Sequence, residues 1–257
     1  MALLVSRPEM SSQRFDTLDA FRGLAMIWMA VYHFVFDLDY FGLTTQDFFR
    51  DPFWTWQRSL IVSIFLLSAG MGQAIATARG QSWWRFWRRW AQVAAGALLV
   101  SAGSWLLFPN SFIYFGVLHG LALMLVVVRL TVRWRHWLWL LGALAIASGF
   151  IAESMLQTGA FPVWADALNS MRWNWLGWIS QKPFTQDYVP LFPWLGVMWW
   201  GAAAGHWVQR QRPGWLAQPV SSVWQIFARL GRWSLSFYLV HQPILMAFVG
   251  GVAWLFH

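Results

Sequence analysis

Residues 14–42, RFDTLDAFRGLAMIWMAVYHFVFDLDYFG, decide how this chain is read. A helix needs about 20 apolar residues to cross a bilayer. The stretch 18–41 provides them while carrying Asp19, Arg22, His33 and Asp37. Arg22 and His33 are eleven residues apart, about three full turns of helix. Asp19 precedes Arg22 by three and Asp37 follows His33 by four, so all four share one face. Ionisable groups are expensive in lipid, and this stripe must face other helices or a water-filled cavity. Asp16 and Asp19 also suit the positive N-terminal end of the helix.

The rest of the chain agrees with that reading. Its 257 residues are 58% hydrophobic and only 11% charged, against roughly 25% charged in a soluble domain. That excludes a soluble enzyme and a disordered protein. Further spans are predicted at 57–78, 91–108, 112–130, 136–155, 190–208 and 233–255. The expected fold is an all-α, polytopic transmembrane helix bundle of about seven spans, forming a single domain over 1–257. Residues 1–14 are expected to be a flexible cytoplasmic N-terminus.

With the N-terminus inside, thirteen of the eighteen Lys and Arg residues fall in inner segments and four in outer ones, Arg22 lying within the first span. The positive-inside rule thus explains a net charge of +8, and no nucleic-acid partner is needed. The absence of cysteine removes disulfide, thiolate–zinc and Cys-nucleophile chemistry. The histidines are scattered and no HExxH motif is present, so no metal is expected. GxGxxG, P-loop and GxSxG patterns are also absent.

Several groups are candidates for chemistry. His33 and His119, the latter in IYFGVLHGLALML, come out at similar depth, roughly 10–12 Å below the outer surface. They are expected to share a site, with His33 as general base, Asp37 orienting it, and His119 donating to an oxyanion or holding the acceptor. His241, in SLSFYLVHQPILM, is expected in the inner half, apart from them, a structural polar residue like Asp19 and Arg22. An interhelical hydrogen bond is the alternative role for each histidine.

The segment RGQSWWRFWRRW reads as an inner loop. Its Arg85, Arg88 and Arg89 suit either the phosphates of a nucleotide-like cofactor or lipid headgroups. Outside, the Trp-rich stretch with Trp175 and Asp187 suits a sugar or an interfacial segment. VSSVWQIFARLGRW reads as an amphipathic helix on the inner surface. Gly201 and Gly205 form one G-x-x-x-G spacing, the feature that hints at a homodimer.

The opening run, followed in order by YFGVLHGLALML, DYVPLFPWLGVMWWGAAAG and SLSFYLVHQPIL, resembles the bacterial relatives of heparan-α-glucosaminide N-acetyltransferase, in the transmembrane acyltransferase superfamily. The resemblance implies a multi-pass protein of the bacterial inner membrane. It also implies acetyl-CoA bound from the cytoplasmic side as acyl donor, and a glycan or amino-sugar acceptor reached from the other side. Arg22 and His33 match the Arg–ten residues–His spacing of related bacterial membrane O-acyltransferases, and Arg85 with Arg88 matches their R-x-x-R pair. The chain departs from the lysosomal enzyme, which has Asn where His33 stands and uses a His in the following loop. Here no His occurs between Phe41 and Trp56. The chain also lacks that enzyme's large lumenal domain. A proton-coupled carrier or flippase for a polar or lipid-linked solute is the alternative, since the same stripe could relay protons. The Arg-aromatic segment separates the two, because a CoA enzyme needs it and a carrier does not.

Overall fold

The computed structural model describes residues 15–212, 214–215 and 218–256. The predicted N-terminal tail, with Arg7 and Arg14, lies outside them. Helix α1 runs over Asp16–Tyr40. Helix α2, Pro52–Ala78, opens on a proline at its first position, and Asp51 accepts the Phe53 N–H at 2.8 Å. Helix α3 is Trp83–Leu107, and α4 is Val117–Thr131, continued by a 3-10 turn over Val132–Trp134. Then come α5 (Trp137–Gln157), the short α6 (Pro162–Asn169) and α7 (Trp194–Gln211). Helices α8 (Ser222–Arg232) and α9 (Ser234–Phe256) follow. Among the described residues the one β feature is an isolated bridge between Phe115 and Tyr188.

Six helices, α1 to α5 and α9, are long and apolar enough to cross a membrane. The seventh expected span, α7, falls short on that measure. Its apolar surface is built from Trp, Gly and Ala rather than Leu and Ile. It nevertheless lies lengthwise between α2 and α5. Met198 and Ala202 pack on Gly70, and Gly196 packs on Gly142. Buried Leu66, Met124, Val128, Leu138 and Met198 fill the shared core. Gly201 and Gly205 abut Leu67 and Met71 of α2 in the same chain. The G-x-x-x-G seam is therefore filled within the chain, and it no longer points to a homodimer.

Two predicted inner segments differ from expectation. The RGQSWWRFWRRW loop is helical from Trp83 onward, because Ser82 accepts the Arg85 N–H at 3.4 Å and caps α3. Buried Arg129 secures the short turn before it, donating to Thr77 Oγ1 at 2.7 Å and to the Gln81 carbonyl at 2.5 Å. The amphipathic stretch forms α8 as expected, but α8 crosses α1 backbone to backbone. A Cβ on Gly23 would strike the Phe227 carbonyl, and one on Gly231 would strike the Asp19 carbonyl. The Arg232–Asp16 ion pair, 2.6 Å, closes the lower edge of this contact.

Candidate active site

The stripe on α1 lines two cavities. The basic cavity, about 680 Å³, is bordered by Asp19, Arg22, Gln73, Arg89, Trp90 and Arg232. The histidine cavity, about 390 Å³, is bordered by Tyr32, His33, Asp37, Arg58, His241 and Gln242, with Phe36, Phe48 and Phe108. Phe65, Val117 and Tyr238 belong to both linings, so the two spaces are neighbours with these side chains between them.

In the basic cavity Arg22 donates to Asp19 at 3.1 Å and to the Ser68 carbonyl at 3.0 Å. Arg89 has no hydrogen bond or ion pair among the described residues, and it shares the cavity-lining face of α3 with Phe86, Trp90 and Val93. Arg88, one position away, is rotated about 100° off that face, and Arg85 sits at its margin. All three arginines are exposed, and Arg85 and Arg88 line neither cavity. Of the three arginines expected to hold a cofactor, the helix therefore brings one to the cavity.

The histidines pair differently from expectation. The ring of His33 lies 5.2 Å from that of His241, not beside His119. The reason is the α1–α8 crossing. Gly231 abuts Gly23, so α9 starts well up along α1 instead of level with its first residue. His33 lies ten residues beyond Gly23, about 15 Å along α1, and His241 lies seven residues beyond Ser234, where α9 begins. The Nδ1 of His241 points at the carbonyls of Tyr238 and Phe237, at 2.8 and 3.2 Å, and so carries the proton. Its Nε2 is a buried lone pair without a partner, and Nδ1 of His33 is likewise unpartnered.

Asp37, wholly buried, does not orient His33. Its Oδ1 accepts from Gln242 Nε2 at 2.7 Å, across to α9. Asp37 Oδ2 and Gln242 Oε1 remain unpartnered. Four buried polar atoms without partners thus gather on two facing helices.

His119 is placed elsewhere. Its Nδ1 accepts the Gly116 N–H at 3.3 Å, capping α4. Ser101 Oγ gives its proton to the Ile113 carbonyl at 2.6 Å, so it accepts from His119 Nε2 at 3.0 Å. Both ring nitrogens are engaged, and His119 lines neither cavity.

Asp187 also serves the start of α4. Its Oδ2 accepts the Val117 N–H at 2.7 Å. A side chain at position 116 would collide with it, which is why Gly116 stands there. Burial holds the Asp187 carboxyl above the usual carboxylate range. Asp187 does border the histidine cavity, whereas Trp175 does not. The Trp175 indole N–H goes to the Arg172 carbonyl at 3.0 Å, and its ring leans on Phe115.

Sequence reasoning passed over three residues. Arg58 was counted as an outer loop cation, but α2 starts at Pro52 and carries it into the cavity wall. Tyr238 and Gln242 flank His241 within YLVHQP, a polar cluster in an apolar helix that was a usable signal.

Fold and site together define a multi-pass helical membrane protein with two abutting cavities, one basic and one holding a histidine pair. Its family is that of the catalytic domain of heparan-alpha-glucosaminide N-acetyltransferase: the family model matches residues 14–243, and the chain belongs to this acetyltransferase-like group. No curated protein and no solved structure matches it.

Proposed function

We propose that this chain transfers an acetyl group from acetyl-CoA, seated in the basic cavity, to an acceptor in the histidine cavity. The observation that carries this reading is that the two cavities are neighbours, with Phe65, Val117 and Tyr238 between them. Such a junction lets a thioester on one side reach a nucleophile on the other. The excess of arginine in the segments expected inside supports a cytoplasmic basic end, in keeping with a protein of a bacterial inner membrane.

Arg89 is the guanidinium still free to fork a phosphate, with Arg22 and Arg232 beside it. His33 takes a proton from the acceptor as its nitrogen or oxygen attacks the thioester carbonyl. The C–S bond breaks, and the leaving CoA thiolate takes the proton back from His33. The Nε2 lone pair of His241 accepts a hydrogen bond from protonated His33. Asp37 Oδ2 and Gln242 Oε1 await donors. This favours an acceptor group rich in N–H or O–H, a glucosamine-type amine or a glycan hydroxyl.

The test is calorimetry of acetyl-CoA with the purified protein and its variants. Arg89→Ala is expected to weaken binding roughly tenfold or more, since a charge-assisted bond contributes about 1.5–3 kcal/mol. An Arg85→Ala/Arg88→Ala double variant is expected to bind like wild type. Binding lost only in the double variant would move the donor out of the basic cavity. No binding at all would overturn the reading in favour of a proton-coupled carrier.

A further inference from the structure

The histidine cavity is open on one flank. Leu99 and Leu107 of α3 line it, yet they are 65% and 66% exposed on the outer surface of the bundle. Pro243 of α9, across the gap, also lines the cavity and is exposed. Helices α3 and α9 approach each other at Gly96, which meets Leu235 and Leu239. Farther along, Gly103 borders the cavity with open space where its Cβ would stand. At the far end Tyr40 meets Phe108 edge-on, with centroids 5.8 Å apart, so the gap faces sideways. An opening between two membrane-spanning helices faces acyl chains rather than water.

Inside that largely apolar cavity stands Arg58, which has no hydrogen bond or ion pair among the described residues. Asp187, the acid on the same cavity wall, makes no ion pair with it and accepts the Val117 N–H. A guanidinium left single on an apolar wall is matched by a planar anion such as phosphate.

Resting on the acyltransferase reading, we infer that the acceptor is an amphiphile whose headgroup is joined to its lipid through a phosphate. It enters from the leaflet between α3 and α9. The chain occupies the gap beside Leu99, Gly103 and Leu107, Arg58 holds the phosphate, and the headgroup reaches His33. An aqueous polysaccharide would need neither the side opening nor the cation.

Three probes separate these features in nanodiscs: decyl-phospho-glucosamine, glucosamine 1-phosphate, and decyl glucosaminide without phosphate. The first is expected to show at least tenfold higher kcat/KM for CoA release than either of the others. Gly103→Trp should erase the advantage of the chain and Arg58→Gln that of the phosphate, while both variants still bind acetyl-CoA. A second readout needs no chemistry. A phosphatidylglycerol with a photoactivatable acyl chain should cross-link to Leu99, Gly103 or Met246, and Gly103→Trp should abolish this. Equal use of the three probes overturns the proposal and leaves the acyltransferase reading standing, as does a missing cross-link in protein that binds acetyl-CoA. If none of the probes is acetylated, the cross-link decides. Absent acetyl-CoA binding removes both readings together.

Discussion

The start of α4 and the seam between α1 and α9 are built from the same residue types and treat them in opposite ways. At α4, His119 and Asp187 sit where backbone N–H groups point at them, and neither His119 nitrogen is left over. At the seam, His33, His241, Asp37 and Gln242 retain four unpartnered polar atoms. A buried polar atom without a partner costs about 1–3 kcal/mol, so the second arrangement is stable only where a ligand or solvent supplies donors. Histidine in a membrane is thus no sign of chemistry by itself; the free lone pair is.

The largest effect that tests this contrast is His33→Ala. Removing the base should slow acetyl transfer by roughly 10²–10⁴-fold, with thermal unfolding in detergent unchanged. A variant that keeps its rate would reduce the seam to the status of the α4 cap. Next comes Gly23→Leu, which pushes α8 off α1 and spoils the register of His33 with His241. Overpacking of this kind destabilises by roughly 1–3 kcal/mol, and acetyl transfer should fall in the fraction that still folds. A transfer rate intact in folded Gly23→Leu protein would show that the histidine pair does not need the glycine crossing.

His119→Ala is the mirror of the first variant. It should lower stability by about 0.5–2 kcal/mol, as loss of a helix cap does, while turnover per folded molecule stays at the wild-type level. A large fall in turnover would restore His119 to the reaction. The smallest effect concerns Asp187. Because burial raises its carboxyl, the folded protein retains a proton that the unfolded chain releases. Stability therefore falls as pH rises from the ordinary carboxylate range through the raised one. Asp187→Asn should flatten that slope in unfolding curves taken across acid pH, and an unaltered slope would assign it to another group.

The bundle was legible in the sequence because it follows from one-dimensional quantities. Apolar length sets the spans, and helical period puts Asp19, Arg22, His33 and Asp37 on one face. α7 shows the limit: the sequence reads 190–208 as a seventh span, but the helix there is not among the six long and apolar enough to cross a membrane. The site was half legible. His33 and Asp37 were singled out as polar groups in lipid, but depth counted from predicted helix ends placed His241 too low and paired His33 with His119. The α3 face that sets Arg89 at the cavity edge and Arg88 away from it was hidden by reading the segment as a loop.

What the sequence determined alone is the membrane-spanning all-α class, the polar stripe on α1 and the family. Which histidines meet, which arginine enters the cavity and which carboxylate caps a helix were decided by tertiary contacts, above all the Gly23–Gly231 crossing. That crossing shifts α9 along α1, and no local pattern records a shift between two helices two hundred residues apart.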